Sequence, residues 1–272
     1  MNERACMFAH GLVGILAEPD AGRCSDVAVL LWNVGLVHRV GPFRVYADLA
    51  RRLARLGYPV LRFDLSGLGD SEVRDGTGTD SERAVLDVRD AMELVRERCG
   101  HERFVLVGFC SSVDHAHAAA MQEPAVAGIV QVEGYSYRTR GFYLRYPRRG
   151  LSVRRWERLL RARFPKLFRR QVSLEREKEA VFLREYPTVE RYRSEIASLA
   201  ARGTRQLFIY AGGDTSFNHE QQFHEMYGSP GLERHVQVCF FPHADHTFHS
   251  MDARHQLVES VSAWITKTFP VS

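Results

Sequence analysis

The chain contains no apolar run approaching the roughly 18 residues a membrane-spanning helix requires. Its first residues, Met1-Asn2-Glu3-Arg4-Ala5-Cys6, lack the basic segment followed by an apolar one that marks a secretory leader. A cytoplasmic protein with no membrane span is the expectation. Cysteine is sparse: Cys6, Cys24, Cys99, Cys110 and Cys239 are odd in number, scattered, and never in a Cys-x-x-Cys pair. That pattern excludes a disulfide framework and a cysteine-built zinc site, and it suits a reducing compartment. No internal repeat or low-complexity linker is visible. The turn Asp64-Leu65-Ser66-Gly67-Leu68-Gly69-Asp70-Ser71 lacks the third glycine of a dinucleotide fingerprint, and no Gly-Lys-Ser/Thr follows it. No cofactor is expected.

What is present is a chain of 272 residues, 45% hydrophobic, long enough for one sizeable core plus an insertion. Apolar runs predict strands over Phe8–Ala17, Val27–Trp32, Tyr58–Phe63, Phe104–Val107, Val126–Val132, Gln206–Ala211 and His235–Phe241. Three-and-four spacing predicts helices over Phe43–Leu56, Ser81–Arg98, Val113–Met121 and Gln256–Phe269. Alternating strands and helices mean an α/β fold with a mostly parallel central sheet flanked by helices. Between Gly134 and Gly203 the strand pattern gives way to aromatic and arginine-rich segments. The core is therefore expected over 1–133 and 204–272, with a helical cap (lid) insertion over 134–203. From Arg138 to Arg170 the sequence has thirteen lysines or arginines against one acid, Glu157. This net of +12 leaves −8 on the rest of a chain whose total is +4.

Gly108-Phe109-Cys110-Ser111-Ser112 follows directly on the apolar Phe104-Val105-Leu106-Val107 and precedes an alanine-rich helix. Strand, sharp turn and helix in that order form a nucleophile elbow, in which small flanking residues let the backbone crowd around an exposed side chain. Here that side chain is a thiol. A free cysteine is more often simply a small buried hydrophobe, so the reading depends on partners appearing in the chain order nucleophile, acid, histidine. The strand ending at Ala211 runs into Gly212-Gly213-Asp214, and the one ending at Phe241 into Pro242-His243-Ala244-Asp245-His246-Thr247-Phe248. Asp214 and His246 are the expected acid and base; Asp245 is the rival acid, and His243 and His249 are rival bases. Three histidines so close also raise the idea of a metal, but no supporting ligand set accompanies them and none is expected. Two backbone donors are needed where negative charge develops. Ser111, after the nucleophile, and Gly35, in the loop Asn33-Val34-Gly35-Leu36, are the candidates. His38, Arg39 and Trp156 are candidate substrate-binding residues.

These residues resemble a known family, the exosortase A system-associated hydrolases of the α/β-hydrolase superfamily, close to the serine aminopeptidase type. The resemblance rests on Asn33-Val34-Gly35 followed by His38-Arg39-Val40-Gly41-Pro42, on Val60-Leu61-Arg62-Phe63-Asp64 running into Gly67-Leu68-Gly69-Asp70-Ser71, and on Gly108-Phe109-Cys110-Ser111. Gly141-Phe142-Tyr143-Leu144-Arg145-Tyr146 and His243-Ala244-Asp245-His246-Thr247-Phe248 extend it over nearly the whole chain. It implies the α/β-hydrolase fold and the Cys110, Asp214, His246 assignment, and little about substrate. Val34 and Ser112 stand where members of that family carry glycine.

A thiol at a helix N-terminus beside an imidazole is readily ionised. Thioester donors such as acyl-CoA or a carrier-protein-bound acyl group are then the expected substrates, with water or another nucleophile as acceptor. The basic insertion fits an acidic carrier protein, or else is the solvated side of cap helices; no nucleic-acid motif accompanies it. Two rival readings are a non-catalytic hydrolase-fold module that binds an acidic partner through the basic cap, and an enzyme using Ser111 or Ser112 as nucleophile.

Overall fold

The computed structural model describes residues 1–271 except Ala21, Arg23, Thr77, 146–185, Asp214, Thr215 and Ser229. An eight-stranded sheet forms the centre, in the order β1-β2-β4-β3-β5-β6-β7-β8. Its strands are β1 (Asn2–Phe8), β2 (Leu12–Glu18), β3 (Val27–Trp32), β4 (Val60–Phe63), β5 (Arg103–Phe109), β6 (Val126–Val132), β7 (Arg205–Ala211) and β8 (Val236–Phe241). β1 pairs with β2, and β2 with β4, antiparallel; every other pairing is parallel. The helices are α1 (Val45–Arg55), α2 (Asp80–Cys99), α3 (Ser112–Gln122), α4 (Arg140–Arg145), α5 (Val189–Ala201), α6 (Gln222–Tyr227) and α7 (Met251–Thr268).

The central strands are apolar on both faces, as a parallel sheet covered on both sides requires. In β3, Val27, Val29 and Leu31 join the core beneath α1 and α7, while Ala28, Leu30 and Trp32 join the one beneath α2 and α3. Phe208 and Tyr210 of β7 pack into a third, aromatic cluster with Tyr192 and Ile196 of α5 and Phe223 and Tyr227 of α6. Thr79 and Glu82 form a capping box that starts α2, and Gly100 in the left-handed region closes it.

Two expectations change. The apolar stretch Phe8–Ala17 is a hairpin: Phe8 ends β1, a largely exposed edge strand whose Asn2-Glu3-Arg4 start carries no apolar signal. The helix expected from Phe43 begins at Val45, because Phe43 and Arg44 sit at φ 48° and 70°, a conformation a right-handed helix cannot contain. Within the expected cap, α5 precedes β7 and packs on the sheet, with Ile196, Leu199 and Ala200 buried. Gln206 Nε2 donates to the Ile196 carbonyl at 2.9 Å, and the Tyr192 hydroxyl donates to Gln131 Oε1, so α5 is sutured to the sheet. Most of the basic segment, 146–185, lies outside the described residues.

The glycine-punctuated turn after β4 closes around a carboxylate. Asp64 is fully buried, and accepts from Asn33 Nδ2 at 2.9 Å, the Arg39 amide at 2.7 Å, the Asp70 amide at 3.2 Å and the Arg39 guanidinium. Gly69 sits at φ 54°, and a Cβ there would lie 2.3 Å from Asp64 Oδ2; Gly67, at φ 74°, would meet only Val73 Cγ2 at 3.5 Å. Gly69→Ala is expected to cost about 1–3 kcal/mol through overpacking beyond the shared φ penalty, so urea unfolding should find it clearly less stable than Gly67→Ala. Equal midpoints would mean that the Asp64 contact does not shape the loop.

Candidate active site

β5 ends in the elbow expected from its sequence. Cys110 sits at φ 53°, a region a non-glycine residue seldom occupies and which commonly marks a functional turn. Its amide donates to the Val132 carbonyl at 2.8 Å, which joins the turn to the end of β6. A Cβ on Gly108 would stand 2.7 Å from Val113 Cα and 2.8 Å from the Ser112 carbonyl oxygen, so only glycine admits α3 this close to the strand. Ser112, where the resemblance leads one to expect glycine, has a local task. Its hydroxyl accepts from the Phe109 amide at 2.7 Å and donates to the Phe109 carbonyl at 2.9 Å.

The loop after β8 presents His246. Phe248, buried and at φ 51°, anchors it edge-on against Phe109 at 6.0 Å between ring centroids. His246 Nε2 lies 3.2 Å from Cys110 Sγ, so ring and thiol are within hydrogen-bond reach. The rival histidines are exposed, and His249 is bonded to Asp245. Asp245 serves its own loop: its carboxylate accepts from the Thr247 amide at 2.9 Å and from the Thr247 hydroxyl at 2.6 Å. Burial opposes the charge of Asp245, but its bonds from Thr247 and His249 hold its carboxyl well below the usual range.

The carboxylate on His246 belongs to Glu133, 2.7 Å from Nδ1. Glu133 is the first residue after β6, sits at φ 55°, and is essentially excluded from solvent. Its other oxygen accepts from the Ala211 amide, and its own amide donates to the Ile209 carbonyl at 2.8 Å, both on the neighbouring β7. Asp214, the acid expected from chain order, lies outside the described residues. Sequence reasoning passed over Glu133. The available signal was an acid placed immediately after the mostly apolar strand Val126–Val132, at the same sheet edge as the elbow.

A buried carboxylate on one side and a thiol on the other favour the protonated ring. The bond to Cys110 and then the bond to Glu133 outweigh partial burial and push the His246 pKa up to about 10. The ring thus stands between the Glu133 carboxylate and Cys110 Sγ, within hydrogen-bond distance of each.

Of the expected oxyanion donors, the Gly35 amide donates to the Ser111 hydroxyl at 2.9 Å, and the Ser111 amide stands at the start of α3. Arg39 and His38 belong to the Asp64 cluster: the Arg39 guanidinium bonds Asp64 and, at 2.8 Å, Asp70, with His38 Nε2 at 2.7 Å. His38, Asp64 and Asp70 offer ligand atoms within 4.8 Å of one another, but the guanidinium already supplies the cation those carboxylates need. Trp156 lies outside the described residues. Among the described residues no helix is long and apolar enough to cross a membrane.

Comparison with known proteins agrees with this architecture. No curated protein sequence matches the chain. Among solved structures, XC6422 of Xanthomonas campestris, an α/β serine hydrolase without a lid, superposes with TM-score 0.60 at 15% identity, covering 100% of this chain and 97% of that one. The Pyrococcus furiosus esterase PF2001 gives 0.60 at 15% identity, over 98% and 90% of the two chains. The esterase domain of a Rhodothermus marinus protein gives 0.58 at 15%, over 98% and 99%. The family model of the α/β-hydrolase fold matches residues 8–207, and with the strand order and the elbow above, the chain belongs to the α/β-hydrolase fold family.

Proposed function

We propose that the chain is an acyl hydrolase or acyltransferase that works through a Cys110 acyl-enzyme, with His246 as base and Glu133 as its orienting acid. The observation that carries this reading is His246 bonded at once to Cys110 Sγ and to the buried Glu133 carboxylate. Within the α/β-hydrolase family, the loop and elbow residues quoted above favour the exosortase A system-associated hydrolases, a placement that leaves the substrate open.

In the proposed reaction the proton of the thiol rests on His246 and the thiolate sulfur bonds to the substrate's acyl carbon. The carbonyl pair moves onto oxygen, where backbone donors at the elbow meet it. As the carbonyl re-forms, the leaving alcohol or thiol departs with the proton from His246 Nε2. Water or another acceptor then attacks the thioester, His246 takes its proton, and the collapse returns the thiolate and releases the acid or the transferred acyl group. Glu133 holds the ring in place and stabilises its charge throughout. Because the intermediate is itself a thioester, a thioester or similarly activated acyl donor forms it with little change in bond energy, whereas an alkyl ester must expel a poorer leaving group.

The serine alternatives find less support. Ser112 Oγ is engaged by Phe109, and Ser111 Oγ by Gly35; the side chain on His246 Nε2 is the thiol. Binding of an acidic partner through the basic segment rests on residues that mostly lie outside the described ones.

Three outcomes test the proposal. Incubation with a short-chain acyl thioester, followed by intact mass, should show one acyl adduct on the native chain and none on Cys110→Ala, whose turnover should fall by roughly a thousandfold or more; an adduct retained by Cys110→Ala overturns the mechanism. Glu133→Gln should lower kcat by about 10²–10⁴-fold, the range for removing the charge behind a catalytic histidine, and Asp214→Asn much less. The reverse order would return the acid's role to Asp214. By imidazole NMR, His246 should stay protonated through neutral pH and titrate near 10, with Cys110→Ala and Glu133→Gln each lowering that value. Since the folded pKa is raised, this group's contribution to stability is complete below about 6.5, the ordinary imidazole value, and fades as pH rises toward 10. Titration of His246 between 6 and 7 in the native chain would remove the ion pair from the mechanism.

A further inference from the structure

The hydroxyl of Ser111, the residue after Cys110, has no part in the mechanism above. Its oxygen accepts from the Gly35 amide at 2.9 Å, so the amide expected to face developing charge points at a side chain. Ser111 follows Cys110 directly, is half-buried, and makes no capping bond to the helix it begins. Among the described residues neither its amide nor its hydroxyl proton has an acceptor. Both donors of the residue that follows Cys110 are therefore available at the elbow.

We propose that the Ser111 side-chain O–H joins the backbone N–H already expected at that position in receiving the oxyanion, and that Gly35 acts behind the hydroxyl as a positioning group. The inference rests on the reading of Cys110 as nucleophile. With a hydroxyl lone pair held by the Gly35 N–H, the O–H hydrogen is turned away from Gly35. A hydroxyl that is already accepting is also a stronger donor, since hydrogen bonds in a chain polarise one another. The neighbouring Ser112 cannot serve this way, because its oxygen is committed to the Phe109 amide and carbonyl. Ser111 would act only where charge builds on a carbonyl oxygen, which separates its effect from any on the reactivity of the sulfur.

The experiment compares two reactions of the same thiol in the native chain, Ser111→Ala, Ser111→Thr and Cys110→Ala. Acylation by p-nitrophenyl acetate and by a short-chain acyl thioester passes through an oxyanion; alkylation by iodoacetamide, a displacement at saturated carbon, does not. Ser111→Ala should lower acylation about a hundredfold, the scale for loss of one oxyanion donor, with alkylation unchanged. Ser111→Thr, which keeps the hydroxyl, should recover most of the loss. Acylation of Ser111→Ala at the native rate, or alkylation falling in step with acylation, overturns the inference while Cys110 remains the nucleophile. An acyl group taken up equally by Cys110→Ala, or none on Cys110 of the native chain, sinks the nucleophile reading and this inference with it.

Discussion

The pair formed by the Glu133 carboxylate and His246 is the constraint around which the site is organised. A carboxylate withdrawn from water is costly unless it is paired and hydrogen-bonded. Glu133 meets that demand with the Ala211 amide on one oxygen and the His246 ring on the other. Pairing in turn favours the imidazolium, whose Nε2 lies 3.2 Å from Cys110 Sγ. One buried carboxylate is thereby linked, through one ring, to a sulfur that it does not touch.

Backbone geometry makes the pairing reachable. Cys110, Glu133 and Phe248 all sit at φ between 51° and 55°. Cys110 and Glu133 each stand one residue past a parallel strand, and Phe248 lies in the loop after a third. Such conformations cost of order 1–3 kcal/mol apiece and persist where the surroundings over-determine them. Here the surroundings are the flanking strands: Cys110 is bonded to Val132, and Glu133 to Ile209 and Ala211. The next loop along the same edge is held by a separate buried acid, Asp64, which binds Asn33 and Arg39. Asn33 also accepts from the Leu65 amide at 2.6 Å, which fastens the segment before Gly35 to the turn after β4.

Elements declared themselves in the sequence where both faces of a strand are buried or one face of a helix repeats cleanly. β3, β5, β6 and β7 fall within a few residues of their apolar runs, and α2 within one residue of its periodicity. The edge strand β1 leaves no such mark, because most of its side chains face solvent. α1 starts later than its spacing suggests because Phe43 fits the helical spacing while it and Arg44 take non-helical φ. α5 falls within the stretch where the strand pattern gives way to aromatic and arginine-rich segments. Its burial comes from Tyr192, Ile196, Leu199 and Ala200, which the sheet and its neighbouring helices cover.

By itself the sequence determined the elbow, the thiol in it and the histidine loop, because each is a local pattern: small residues around a turn, an apolar strand before it, a loop after it. Which carboxylate meets His246 was decided only by the tertiary structure. Chain order directs attention to Asp214, but the Glu133–His246 contact joins residues 113 apart in sequence. It follows from which strands are neighbours and from the left-handed turn at residue 133, neither of which is encoded in spacing. The same holds for Gly35 and Ser111, 76 residues apart. Each residue by itself is an ordinary loop or elbow position, and only their approach across the sheet edge turns one into the support of the other.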